Sequence, residues 1–341
     1  MLGIRVPKRD AEAAAVYLKA HKLMDIQHEV FGRREFIYFP VSRLGRKAAQ
    51  AMKAMGAERV NEVFVARPAQ KNYRAALLGE LGKTEYDNAV KSYDLIGDTA
   101  VIDAGPRIAK RMASVIAGIN RNVRRVVSKR GAVSGRYRTR RFVNVYGRKG
   151  FDVEYRENGI TIALDIRKAF FSPRLSFERS RISGLVKDGE SVVVMFAGVG
   201  PYAILIGKQH RRSEVIAMEL NRYAYVYLKK NITLNRVANV VPVLGDVNKA
   251  AVRYKGYADR IVMPLPNDSY RFLGAVYRVA KRRCTVHYYA FGGKNDPYTR
   301  HLKRIREFFI KRKRGVRVLS KRIVRTYSPA EVEVVIDFLI H

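Results

Sequence analysis

The chain has 341 residues, 48% of them hydrophobic, enough for two or three domains with real cores. It carries 67 Lys and Arg against 30 Asp and Glu, a formal net charge of +37. Self-repulsion on that scale opposes compaction unless a polyanion is the partner, so nucleic acid is expected ahead of an anionic membrane surface. A single cysteine, Cys284, excludes an internal disulfide and a cysteine-rich metal site, and no metal is expected. With no apolar signal core and no stretch long enough to cross a bilayer, a cytoplasmic protein is expected.

In chain order, residues 4–6 read as a short strand, and Asp10 caps a helix running to about Lys22 with Ala13, Val16, Tyr17 and Ala20 on one face. Residues 35–41 and 60–65 read as strands. They complete a small α+β unit, 1–70, which ends in the linker Arg67-Pro-Ala-Gln. A second α+β stretch, 71–175, opens with a helix at 75–81. In it, 93–102 reads as a strand interrupted by a turn, and 108–120 has helical spacing through Ile108, Met112, Val115, Ile116 and Ile119. Residues 124–127 and 142–146 read as strands around the basic loop Gly135-Arg-Tyr-Arg-Thr-Arg-Arg, and 150–166 as a hairpin turning at Glu157-Asn158-Gly159. From Ser176 to the end strands and helices alternate, the pattern of a mostly parallel sheet covered on both faces. Its strands are expected at 191–195, 214–218, 239–243, 259–263, 284–289 and 332–339.

The densest signal lies at 190–221. An apolar run ends in Ala197-Gly198-Val199-Gly200, a helix-like segment follows, and a second apolar run closes on the acid Glu219. In an α/β sheet this order brings a ligand close to backbone at the glycines and sets a carboxylate one strand over, suited to a ribose hydroxyl pair. The turn lacks the third glycine of a dinucleotide fingerprint, and Gly245-Asp246-Val247 follows the next strand. Elsewhere the residues allow plainer readings. Glu178, flanked by Arg174 and Arg179, reads as an ion-paired helix start, and Arg138 as part of a solvated loop that contacts phosphate. Met263-Pro264-Leu265-Pro266 ends a strand at the rim where ligands bind, with two prolines fixing the turn. Cys284 and His287 read as core residues of a strand, and Lys311-Arg-Lys-Arg as an exposed turn.

The glycine turn resembles the first motif of S-adenosylmethionine-dependent methyltransferases. The whole chain is similar to the archaeal and eukaryotic tRNA guanine-37 N1-methyltransferases, most of all the archaeal ones. The matching stretches are Tyr93–Ile102, Arg138-Thr-Arg, Phe171–Arg179, Met195–Tyr202, Val286-His-Tyr-Tyr and Lys321–Pro329. The resemblance implies a class I, Rossmann-like methyltransferase domain at 176–341 with a seven-stranded, mostly parallel sheet, preceded by the two smaller α+β domains. It implies S-adenosylmethionine as cofactor and tRNA as partner, held at position 37 of the anticodon loop and, through the first domain, at the outer corner; a monomer is expected. By resemblance Glu178 takes the N1 proton of the target guanine and Arg138 stabilises the charge that develops on O6. Phe196, Gly198, Gly200, Glu219, Asp246 and Val247 line the cofactor site, with Arg174 assisting.

Many family members carry Asn-Leu-Pro where this chain has Pro264-Leu-Pro266, and Glu219 replaces a more frequent Asp. Both features resemble the archaeal subgroup that also methylates C7 of 4-demethylwyosine, and Pro264 joins the candidate site on that ground. Two alternatives remain open from sequence: an aminocarboxypropyl transferase of the wyosine pathway, which generally lacks a domain like 1–70, and a non-catalytic RNA-binding protein on the same fold.

Overall fold

Alternating apolar residues build the first strands. In β1 (Leu2–Pro7) Ile4 and Val6 point into a core, while Arg5 pairs with Glu58 at 2.5 Å. The computed structural model describes residues 1–341 apart from 26, 27, 65–71, 136 and 138 and the side chains of 132–134. The linker expected at 67–70 and Arg138 therefore lie outside the described residues.

Two units divide the chain, Met1–Ala76 and Leu77–His341. In the first, β1, α1 (Ala11–Ala20), β2 (Phe31–Arg33), β3 (Phe36–Pro40), α2 (Arg46–Ala54) and β4 (Glu58–Asn61) give an antiparallel sheet in the order β2-β3-β1-β4. Helix α1 turns Ala14 and Leu18 inward, with Ala11 and Ala15 beside them. The expected face through Ala13, Val16 and Ala20 is exposed instead, because alanines satisfy either stripe and Leu18 decides which one is buried. Strand β4 starts two residues before the expected 60–65 and ends at Asn61.

Helix α3 (Tyr73–Leu81) spans the division, and the second unit continues with α4 (Lys83–Asn88), β5 (Asp94–Ile96), β6 (Thr99–Ile102), α5 (Pro106–Ile119), β7 (Arg125–Ser134) and β8 (Thr139–Gly147). Its first sheet runs β5-β6-β7-β8. The hairpin β9 (Asp152–Glu157) and β10 (Ile160–Asp165) follows, turning through Asn158 and Gly159, both at positive φ. The β5–β6 turn lies against this hairpin. A Cβ on Gly97 would stand 2.0 Å from the Glu154 carbonyl oxygen, so only glycine fits there.

The remaining elements are α6 (Ser176–Leu185), β11 (Ser191–Met195), α7 (Pro201–Gln209), β12 (Glu214–Glu219), α8 (Arg222–Asn235), β13 (Val240–Leu244), α9 (Val247–Ala250), β14 (Ala258–Met263), α10 (Leu273–Val279), β15 (Ala280–Gly293), α11 (Thr299–Ile310), β16 (Val316–Thr326) and β17 (Glu331–Ile340). They build a seven-stranded sheet in the order β13-β12-β11-β14-β15-β17-β16, parallel except for β17. The sheet has the expected strand number and direction, and the order reverses beside β11, where such sheets open a crevice at their carboxyl ends. Side chains of β11 alternate between two cores, Val192 and Val194 on one face and Val193 and Met195 on the other.

Two asparagines join the hairpin to this sheet. From α8, Asn231 accepts from the Ala163 N–H (2.8 Å) and donates to the carbonyls of Ala163 (2.9 Å) and Val199 (3.0 Å). One helical turn on, Asn235 pairs with the N–H and carbonyl of Thr161 at 2.8 and 2.6 Å. The amides thus act as a further strand along β10, satisfying buried backbone groups that a sheet neighbour would otherwise serve. Asn231→Leu leaves three buried backbone groups unpaired, each at about 1–3 kcal/mol, so urea unfolding should show a loss of roughly 3–9 kcal/mol. A loss below about 1 kcal/mol would mean that water replaces the amide.

Candidate active site

The turn after β11 is moored to β12. Ala197 N–H donates to the Met218 carbonyl at 2.8 Å and Gly198 N–H to the Glu219 carboxylate at 2.7 Å. Phe196 adopts a left-handed conformation to enter the turn, and Gly200, also left-handed, caps α7 ahead of Pro201. Glu219 takes a second N–H, from Asn221, on its other oxygen at 2.6 Å. Burial pushes the Glu219 carboxyl upward, opposed by the N–H groups of Asn221, Gly198 and Leu220. Gly245 N–H donates to the Glu219 carbonyl at 2.9 Å, which places Asp246 and Val247, at the start of α9, next to the same turn. Phe196 packs edge-on to Phe272 at 4.7 Å.

This rim fits a nucleoside with a vicinal diol. A Cβ on Gly198 would meet nothing closer than the Phe170 carbonyl at 3.9 Å, and one on Gly245 nothing within 4 Å, so bare backbone faces open space at both. The two carboxylate oxygens of Glu219 each spend one acceptor position on a backbone N–H at 2.6–2.7 Å and keep capacity for a hydroxyl. The N-terminus of α7 begins with Pro201, which withholds one of the N–H groups that a phosphate would use.

Glu178 sits in α6 with 4% of its surface exposed. Its guanidinium partner is Arg181, one helical turn away, which donates to both carboxylate oxygens at 2.8 and 2.9 Å. The two arginines expected at its side go elsewhere. Arg179 makes a buried bidentate pair with Glu157 of β9 (2.5 and 2.6 Å), and Arg174 donates to Asp94 at 2.6 Å. The helical period turns position i+1 away from Glu178 and position i+3 toward it. Arg174 is half-exposed and paired with Asp94.

The Tyr289 hydroxyl of β15 donates to Glu178 at 2.6 Å and accepts from Tyr202 of α7 at 3.2 Å. Burial pushes both phenols well up, so both stay protonated. Through them Glu178 is linked to the helix that begins at Gly200. The Ser269 hydroxyl lies between the carbonyls of Leu265 and Tyr289 and holds the Pro264–Pro266 loop against the same strand. Sequence reasoning missed Asn221, Arg181 and Tyr289. The i+3 spacing marks Arg181, but nothing local marks Tyr289. A cleft of about 710 Å³ lies elsewhere, between the hairpin and α8; Arg148, Arg156 and Lys230 there face Asp98, Asp152 and Glu154, so it offers no net charge to a polyanion. Cys284 is buried and burial pushes its thiol up, as expected of an inert core residue. Among the described residues no group of His, Cys, Asp and Glu could hold a metal, and no helix is long and apolar enough to cross a membrane.

The strand order and the moored glycine turn define a Rossmann-like methyltransferase domain. Residues 153–319 match the family described as the TRM5/TYW2 methyltransferase domain. The chain is 41% identical over 250 residues to tRNA (guanine(37)-N(1))-methyltransferase Trm5b of Pyrococcus abyssi, covering 72% of this chain and 74% of that one. The crystal structure of that protein superposes with a TM-score of 0.72 at 33% identity, over 100% of this chain and 99% of its own. A complex of aTrm5 with tRNALeu superposes with a TM-score of 0.71 at 26% identity over 100% of both chains. Taw22 of Nanoarchaeum equitans, a tRNA (guanine(37)-N(1))/4-demethylwyosine(37)-methyltransferase, is 36% identical over 155 residues, 46% of this chain and 52% of that one. The chain belongs to the TRM5/TYW2 methyltransferase family.

His287 is fully buried between two charges. Its Nε2 lies 2.9 Å from Arg260 Nη1, which can only donate, so Nδ1 carries the proton and donates to Asp337 at 2.7 Å. Burial pushes the imidazole below its ordinary value, and the depressed group favours the fold above about pH 6.5, a contribution lost as pH falls through the lowered value. ¹⁵N NMR should therefore find a neutral Nδ1–H tautomer at pH 7 that persists at pH 6. An imidazolium at pH 7 would contradict this wiring.

Proposed function

We propose that this chain transfers a methyl group from S-adenosylmethionine to N1 of guanine 37 in tRNA. The observation that carries it is the buried carboxylate of Glu178, linked through Tyr289 and Tyr202 to the helix that follows the glycine turn. S-adenosylmethionine, when bound, supplies an electrophilic methyl on a sulfonium. Glu219 would hold its ribose hydroxyls, Phe196 and Val247 its adenine faces, Asp246 the adenine amino group, and the backbone at Gly198 and Gly200 would let it approach. Glu178 takes the N1 proton through Oε2, which carries one hydrogen bond against two on Oε1. The freed N1 lone pair then forms the new N–CH₃ bond as the S–CH₃ bond breaks, and the electron pair stays on sulfur. Glu178 is 4% exposed, and a general base acts either in direct contact or through one water. Arg138 is assigned to the O6 charge on its motif alone.

Composition supports the polyanion. Six acidic side chains but only three Lys or Arg are buried among the described residues, so the surface is more basic than the sequence as a whole. We assign residues 1–70 to the outer corner of the tRNA and 71–175 to tRNA binding and the active site, with the methyltransferase domain at 176–341 and a monomer as the working form. The match to aTrm5 over the full length of this chain, first unit included, supports that assignment over the aminocarboxypropyl transferase.

Glu178→Gln should lower single-turnover methyl transfer by roughly 10²–10⁴ while S-adenosylmethionine affinity changes little. Turnover near wild type would remove Glu178 from the mechanism.

Pro264 extends the substrate range. No side-chain amide stands there to pair with a guanine edge, so the loop accommodates the fused third ring of 4-demethylwyosine, methylated at C7. Similarity to Taw22 supports the second activity. C7 is a carbon nucleophile on an electron-rich ring and depends more on placement than on a strong base. Pro264→Asn should favour guanine over the tricyclic base, because an amide left unpaired against the extra ring costs about 1–3 kcal/mol. Two tRNAs differing only at position 37 measure this, and strict guanine specificity in the wild type would refute the second activity.

A further inference from the structure

Glu178 as a base carries a problem of basicity. A guanidinium that grips a carboxylate through two hydrogen bonds stabilises its ionised form and makes it a poorer proton acceptor. Arg181 grips Glu178 in that way, and Tyr289 adds a third donor. On the other side of the same guanidinium stands Asp337 of β17, 2.7 Å from Nη1 and 3.4 Å from Nη2. The two carboxylate side chains are equally buried, each 4% exposed. Asp337 also accepts the Nδ1–H of His287, whose Nε2 accepts from Arg260, which in turn is bidentate to Glu190 at 2.6 and 2.9 Å.

We propose that Asp337 is a positioning residue for methyl transfer: a second counter-ion on Arg181 that keeps Glu178 basic. The inference rests on Glu178 being the base. With both carboxylates ionised, Arg181 is bracketed and the trio carries one negative charge. When Glu178 takes a proton, Arg181 remains paired with Asp337 and the trio becomes neutral. Without Asp337 the same step would strand a buried guanidinium, which a low-dielectric interior penalises heavily.

The surrounding groups cannot substitute. Arg179 of α6 is paired with Glu157 of β9, Arg325 of β16 with Glu333 of β17, and Arg260 of β14 with Glu190. His287 and Tyr289 of β15 and Tyr202 of α7 are neutral hydrogen-bonding groups. Burial alone would raise the Asp337 carboxyl, but the hydrogen bonds from His287 and Arg181 outweigh it and hold the group below the usual carboxylate range. Asp337 therefore stays ionised while the base is protonated.

The test is the pH profile of single-turnover methyl transfer by the full-length enzyme to a guanine-37 tRNA transcript. D337N should move the acid limb about one pH unit lower, a tenfold change in the dissociation constant. Its plateau rate should fall, its S-adenosylmethionine affinity should hold within about twofold of wild type, and D337E should restore the limb. An acid limb in D337N that coincides with wild type overturns the proposal, whatever happens to the rate. If D337N does not fold, the double variant R181M/D337N removes the guanidinium together with its counter-ion and strands no charge. Its acid limb should lie at or above that of wild type, and a limb below it overturns the proposal. E178Q separates the two levels. If E178Q keeps both limb and rate, the base assignment falls and Asp337 with it. If E178Q loses them while D337N leaves the limb unmoved, only the role of Asp337 falls.

Discussion

Helix α6 turns three charged side chains, Glu178, Arg179 and Arg181, toward the interior, and breaking one such buried pair typically costs about 3–5 kcal/mol. Each finds its counter-ion in a different place. Arg179 reaches Glu157 in the hairpin, Arg181 reaches Asp337 in the last strand, and Glu178 is shared between Arg181 and Tyr289. A slip of one residue along α6 would rotate all three by about 100°; the Glu178–Arg181 pair would travel with the helix, but the bonds to Glu157, Asp337 and Tyr289 would be lost. The helix can therefore dock in one register only, and that register sets the carboxylate at the carboxyl rim of the sheet. The asparagines of α8 act on the other side of the hairpin, so β9 and β10 are held between a charge pair and a pair of amides.

Much of this was legible where the signal is local. The glycine turn, Glu219 and Asp246 follow one another within about fifty residues, each at the end of an apolar run, and the structure places them at adjacent strand ends. Strand β16 was missed. It is an edge strand with no fully buried residue, and Lys321, Arg322 and Arg325 interrupt its apolar alternation, the usual way a sheet edge is made unattractive to other chains. The counter-ions of α6 were misassigned for a different reason. Nearness in sequence suggested Arg174 and Arg179, whereas helical geometry selects Arg181, and Asp337 lies 156 residues from it with no local mark at all. Asn231 and Asn235 show the i,i+4 spacing of one helix face, but asparagines there read as solvated until β10 is known to run alongside.

The basic surface and the acidic interior are two sides of one distribution. Acids are spent inside, on buried arginines, on backbone N–H groups and beside the glycine turn, which leaves lysines and arginines to dominate outside. That exterior attracts a polyanion at long range without reading sequence. On the function proposed above, discrimination among bases falls to the Glu178 carboxylate, the proline-bounded loop that Ser269 holds in place, and the bare backbone at Gly198.

A proton acceptor in such a site faces opposed demands. In water a glutamate is ionised but solvated, and nothing orients it. Buried alone, it would keep its proton and could not act as a base. Buried in a one-to-one pair with arginine, it would be ionised and oriented but held too firmly to accept a proton. An arginine shared between two carboxylates meets all three demands. It directs Glu178, and on the proposal above it keeps a counter-ion in Asp337 whatever the charge on Glu178, in a buried setting where electrostatic interactions are strong. The His287–Arg260–Glu190 chain behind Asp337 extends the same logic down the sheet, each cation lying next to an anion or a neutral acceptor. If Glu178 is the base, as proposed, the last strand, far from it in sequence, is in this way part of the machinery that makes it one.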